Sequence, residues 1–194
     1  FSVGLMSSQG TARIPLGRKA ALFTSVRLSY LNLLYSPLLK IDDGQLNYSF
    51  GDINATYLQK IGNNHTLHID IYSGIDNAEI KDPTSKLYFN TQTSWGNALG
   101  AVHWKYRFNK GTLKQSIYFS GYGNKLRLTG DYHVKLPSDI YDIGYRSNIT
   151  LRNIEAGISV INHNTTPQAP DYSNSSLVTN NSVYKQHTIE SSIY

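Results

Sequence analysis

The sequence predicts an all-β chain, the wall of an antiparallel transmembrane β-barrel with about nine strands in the fragment. Three observations predict it. Strand-like segments alternate apolar and polar residues. The links joining them are alternately very short and very long. Only 16% of the residues are charged, where an ordinary soluble domain has about 25%.

The elements follow in order. The chain opens inside a strand at Phe1-Ser2-Val3, and a first short turn follows at Pro15-Leu16-Gly17-Arg18-Lys19. A second turn is Ile61-Gly62-Asn63-Asn64. The next strand, His65 to Tyr72, puts Leu67, Ile69 and Ile71 on one face and Thr66, His68, Asp70 and Tyr72 on the other. From Asn97 to Phe108, Ala98, Val102, Trp104, Tyr106 and Phe108 share a face, opposite His103, Lys105 and Arg107. Asn109-Lys110-Gly111 is the third turn, a tight reversal near Leu151-Arg152-Asn153 the fourth, and the last strand runs from His187 to Tyr194. Gly121-Tyr122-Gly123-Asn124 reads as a further turn, because it lacks the strand-then-helix setting of a nucleotide loop.

A soluble sandwich strand gives the same stripe, so alternation alone leaves core and lipid both open. Link length discriminates. The long links cover roughly residues 31–47, 74–94, 122–139 and 162–185 and are rich in Asp, Asn, Ser, Pro, Gly and Tyr. Hairpins thus repeat about every 45 residues, with short turns on one rim and long loops on the other, as in outer-membrane barrels. Compact soluble domains keep their links near about 4 to 6 residues.

Composition agrees. Fifteen Tyr against six Phe suits a bilayer boundary, where a ring sits in the interface and its hydroxyl in water. With no Cys there is neither a disulfide scaffold nor a thiol metal site. No apolar run is long enough for a transmembrane helix. An odd strand count leaves both sheet edges unpaired, so the chain is expected to be an internal piece, residues 1–194 of one barrel domain, whose remaining strands lie elsewhere. Its expected surroundings are outer-membrane lipid in a bacterial outer membrane. The formal charge of +5 does not imply nucleic acid, because the basic residues are scattered apart from Lys105, Arg107, Lys110 and Lys114 around one turn.

Several segments together resemble a known family. Val3-Gly4-Leu5-Met6-Ser7-Ser8 and then Ser25-Val26-Arg27-Leu28-Ser29-Tyr30-Leu31-Asn32-Leu33-Leu34 look like the first barrel strands of TonB-dependent outer-membrane receptors of the Bacteroidota type. Phe50-Gly51-Asp52-Ile53-Asn54-Ala55 with Leu67-His68-Ile69-Asp70-Ile71-Tyr72-Ser73-Gly74 resembles the next hairpin. Trp95-Gly96-Asn97, His103-Trp104 and Phe108-Asn109-Lys110 are similar to the one after it. Leu28 and Asn32 depart from the Arg and Asp the family often carries there. The resemblance implies a barrel of about 22 strands around a plug, nutrient uptake energised through TonB by way of an N-terminal region outside this chain, and a surface lipoprotein lid as a further partner.

The residues offer little catalytic or metal chemistry. His65 and His68 stand on opposite faces of a strand, and Asp42-Asp43 and Asp139 with Asp142 read as solvated loop acids. No Ser/His/Asp arrangement stands out, so no enzyme activity, cofactor or metal is expected. Two surfaces remain. The lumen face is expected to carry Arg27, His68, Asp70, His103, Lys105, Arg107, Arg146 and Glu155, facing a plug or a ligand path. The long loops are expected to offer Tyr35, Tyr88, Phe89, Trp95, Tyr122, Tyr132, Tyr141 and Tyr172 for ligand capture. The leading expectation is import of a glycan, peptide or metal chelate. A receptor-like barrel with a structural or assembly role and a soluble β-rich adhesion or carbohydrate-binding module are the rivals.

Overall fold

Alternating residues build one long antiparallel sheet. The computed structural model describes residues 1–35, 40–41, 44–82, 89–130, 133–167, 171–172 and 184–193. In chain order the elements are β1 (Ser2–Val3), β2 (Ser7–Pro15), β3 (Ala20–Ser29), α1 (Leu31–Tyr35), β4 (Lys40–Ile41), β5 (Gly44–Ile61), β6 (His65–Asp82), β7 (Phe89–Phe108), β8 (Gly111–Thr129), β9 (His133–Leu151), β10 (Ile154–Thr166), β11 (Asp171–Tyr172) and β12 (Tyr184–Ile193). The sheet order is β1-β2-β3-β5-β6-β7-β8-β9-β10-β12, with β4 paired to β5 and β11 to β9. All pairs are antiparallel, and the long strands β2, β3, β5 to β10 and β12 lie side by side in chain order, which hairpin connections make the shortest route. Nine of these strands have nine or more residues.

The four short turns stand where the sequence places them. Gly17 and Gly62 take φ of 79° and 61°, which an L side chain tolerates poorly. Asn109-Lys110 and Arg152-Asn153 are two-residue reversals, and Arg152 itself has φ 46°.

The long links are shorter than expected because the strands grow into them. β5, β6, β7, β8 and β9 are 18, 18, 20, 19 and 19 residues long. Residues 74–82, 89–94, 122–129 and 133–139 are therefore strand, and Gly121-Tyr122-Gly123-Asn124 is no turn but the middle of β8. Asp139 and Asp142 likewise lie in β9 rather than in a loop, while Asp42-Asp43 lies outside the described residues. Leu31-Asn32-Leu33-Leu34, which link spacing places in the long link 31–47 and the resemblance runs into a strand, begins the short helix α1.

The register runs without a bulge through the seven pairs from β2 to β10, so alternation carries each face across the sheet. One row reads Tyr57, Ile69, Val102, Ile117, Tyr145, Val160, and the row one step toward the long-link rim reads Ala55, Ile71, Gly100, Phe119, Ile143. Both belong to an apolar face. The large side chains on it are uncovered: Ile71 is 55% exposed, Ile117 60% and Ile143 55%. Ala101 is the one buried apolar side chain among the described residues. Apart from α1 against β5, the elements that touch extensively are those paired in the sheet. The chain exposes 13473 Å², where a compact soluble protein of 21.8 kDa exposes about 9,300 Å².

Candidate functional site: the polar face

The opposite face is where the chemistry gathers. Register places all eight residues Arg27, His68, Asp70, His103, Lys105, Arg107, Arg146 and Glu155 on it. His68, His103, Ser116, Arg146 and Ser159 form one row across β6 to β10, and Arg107, Thr112, Thr150 and Glu155 form another.

Near the middle of this face Asp70 gathers three neighbours. Its Oδ1 accepts from Thr56 Oγ1 at 2.7 Å and lies 3.1 Å from His68 Nε2, while its Oδ2 is 3.5 Å from His103 Nε2. The two imidazoles stand 5.7 Å apart, and His103 Nδ1 is 2.7 Å from Ser116 Oγ. Ser, His and Asp thus meet in line, although the sequence offered no such arrangement. At 3.5 Å the Asp–His contact is longer than a hydrogen bond, and backbone N–H groups around Ser116 are engaged by β7 and β9. The network orders side chains on the face; it lacks the oriented base and oxyanion donors of a nucleophilic site. His68 pairs with His103 and not with His65, which stacks on Trp104 and Tyr106 on the apolar face. Among the described residues no group of three or more metal-binding side chains is arranged around an ion position.

Toward the long-link rim the polar face carries an aromatic platform. Tyr48 and Trp95 stack with centroids 6.4 Å apart and planes at 27°, and Phe50 adjoins Tyr48 at 5.8 Å. Tyr48 Oη donates to Asp76 Oδ1 at 2.7 Å, and the Arg27 guanidinium lies over Phe50 at 5.2 Å. Arg27 is also bound to Asp52, Nη2 to Oδ2 at 2.5 Å. Further along the sheet His163 Nδ1 meets Asp142 Oδ1 at 2.8 Å.

The predicted loop aromatics are distributed differently. Trp95 and Tyr122 are on strands β7 and β8, on the polar face. Tyr141 is on β9 and stacks on Phe119 at 6.3 Å on the apolar face. Tyr35 ends α1, Phe89 opens β7 and Tyr172 closes β11; Tyr88 and Tyr132 lie outside the described residues. Tyr48, Phe50, Asp52 and Asp76 were missed, and period-two spacing from Asp52 back to Tyr48 was the available signal.

Lys105 and Lys114 are directly opposite each other on the polar face, and among the described residues neither has an acidic partner. Like charges so placed repel, which makes this short-turn end of the face strongly cationic. The face as a whole can therefore hold a ligand or a protein surface by stacking at one end and by charge at the other. No protein-family model matches the chain, and no curated protein matches it.

Proposed function

We propose that this chain is part of the wall of an outer-membrane β-barrel receptor that imports a nutrient, energised through TonB. The observation that carries the reading is the uncovered apolar face. A soluble β-module must bury such a face under a second layer, and among the described residues no layer covers Ile71, Val102, Ile117 or Ile143.

Dimensions support it. From Leu67 to Ile75 the apolar side of β6 spans about 26 Å of strand, and from Phe108 to Gly96 that of β7 spans about 40 Å, or about 20 to 30 Å along a membrane normal at a tilt of about 40°. That brackets the apolar band of about 25 Å in outer-membrane barrels. His65, Trp104, Tyr106 and Phe108 crowd the short-turn end of the apolar face and serve as an interfacial girdle. The polar face becomes the lumen, where the Tyr48–Trp95 platform stacks on a flat ligand surface such as a sugar ring. The unpaired sheet edges at β1 and β12 are closed by further strands, since open edges are not tolerated in hydrocarbon.

Uptake into cells with and without the complete protein, each with and without a protonophore, tests the function. A labelled oligosaccharide, a labelled peptide and a ferric chelate are the probes. Energy-dependent uptake of one of them only in the producing cells is expected. Equal uptake of all three, with the protein in the outer membrane, would favour a structural role.

A further inference from the structure

Beyond the apolar rows, the same outward face changes character. Four residues past Ile75, about 13 Å along the strand, Glu79 begins a polar row of Asn47, Glu79, Gln92, Arg127 and Lys135. Glu79 is satisfied from within: it accepts from Gln92 Nε2 at 2.7 Å, Asn90 Nδ2 at 3.1 Å and Asn47 Nδ2 at 3.2 Å, and pairs with Lys81 Nζ at 3.2 Å.

The cations beside it have no acidic partner among the described side chains. Arg127 and Lys135 face each other across β8 and β9, and Lys125 stands two residues from Arg127 on the same face, about 7 Å away. None of the three has an ion pair among the described residues. Asp139, on the same face two residues beyond Pro137, is the other described acid there, and Asp171 stands opposite Lys135 in the register. Lys125 and Arg127 line a pocket of about 440 Å³ with Asn47, Asn77, Glu79 and Gln92. Such a set, two cations that can close on one phosphate among amides that bind hydroxyls, is complementary to a phosphorylated sugar.

This pocket adjoins the apolar rows on the same face. Gly96 pairs with Gly123 and Ala98 with Gly121 on the outward face, between Ile71 and Ile75 on one side and Tyr141 on the other. The Phe119 and Tyr141 rings close over Gly121, which is buried, and Asp139 reaches over Gly123, so a hydrocarbon chain on this side lies on those rings and on Ile75.

We propose that this surface is a binding site for a phosphorylated glycolipid of the outer leaflet. The phosphate is held by Lys125 and Arg127, the sugar hydroxyls by the pocket amides, and an acyl chain lies against the exposed Ile75, Phe119 and Tyr141. The proposal rests on the outer-membrane reading above, which sets this face toward lipid. Polar headgroup and apolar tail are served by adjoining parts of one face, in the order a bilayer presents them.

The test uses the complete protein, extracted from its own membranes in mild detergent after the envelope has been fractionated. Native mass spectrometry then follows titration with a diphosphorylated lipid A, its phosphate-free form, phosphatidylcholine and a soluble phosphorylated disaccharide. Expected are retention of the diphosphorylated lipid under activation that strips phosphatidylcholine, at least tenfold weaker retention of the phosphate-free form, and a comparable loss in Lys125→Gln/Arg127→Gln. Lys114→Gln, a cation removed from the other face, should retain the lipid as the native protein does. Binding of the soluble disaccharide as tight as that of the lipid would overturn the lipid assignment in favour of a free phosphosugar. Equal retention by the double variant overturns the site while leaving the barrel intact. Recovery of the protein in the soluble fraction would remove the membrane reading and this inference together.

Discussion

Arg27 and Asp52 stand directly opposite each other on β3 and β5 and meet at 2.5 Å, yet they are unequally placed: the arginine side chain is 47% exposed and the aspartate 11%. Removing the arginine leaves a carboxylate with little access to water, whereas removing the aspartate leaves a cation that water reaches. Arg27→Ala should therefore cost about 2 kcal/mol and Asp52→Ala less than about 1 kcal/mol. Denaturant titration of the complete protein in detergent checks it, and a larger penalty for Asp52→Ala would contradict this account of the pair.

The two faces should respond differently to charge. Ile69→Arg or Val102→Arg, in the middle apolar row, is expected to destabilise the barrel by about 2 to 4 kcal/mol. His103→Arg, one residue along β7 but on the polar face, should cost less, since water reaches it. Folding titrations into lipid vesicles compare them, and equal penalties would remove the basis for the face assignment.

Glu79 gives a pH dependence. Burial pushes its pKa up, but hydrogen bonds from Gln92, Asn90, Asn47 and Lys81 outweigh that and hold it at about 2, below the ordinary 4.5. A carboxyl depressed on folding contributes stability above its unfolded pKa and loses it as pH falls through the folded one. Amide-exchange protection around residues 77–81 and 90–92 should therefore hold above pH 4.5 and decline between 4.5 and about 2. Glu79→Gln should flatten that decline; an unchanged profile in the variant would assign the titration to another group.

Glycines in this sheet differ in what they tolerate. A Cβ at Gly111 would run into the backbone oxygen of Thr150, while one at Gly100 meets nothing within 4 Å. Gly111→Ala should cost about 1 to 3 kcal/mol because backbone must shift, and Gly100→Ala should stay within about 0.5 kcal/mol. Similar values for the two would mean that the β8–β9 hairpin yields more easily than its close approach implies.

What the sequence reveals and what it hides has a physical dividing line. Where one face is apolar, as from Leu67 to Ile71 or from Val102 to Phe108, the period of two is legible and fixes which residues share a face. The turns at Gly17, Gly62, Asn109-Lys110 and Arg152-Asn153 are legible because turn chemistry is local. Past Ile75 both faces are polar, and Asn77, Ala78 and Glu79 show no stripe, so the strand reads as loop. There the pairing is held by contacts such as Glu79 with Asn47 and Gln92, which only the register brings together. His68 with His103, and Tyr48 with Trp95, were hidden for the same reason: the pairs lie 35 and 47 positions apart in the chain.

Spin labels carried singly at residues 115 to 120 of β8, in the complete protein reconstituted in lipid vesicles, test the central claim most directly. The absence of Cys makes each label unique within this chain. Oxygen, which concentrates in hydrocarbon, should reach labels at Ile117 and Phe119 best, and a water-soluble nickel chelate should reach Ser116, Tyr118 and Ser120, the two alternating residue by residue. Nickel access at Ile117 and Phe119 equal to that at Ser116 and Tyr118 would place water on both faces and contradict a membrane-spanning wall.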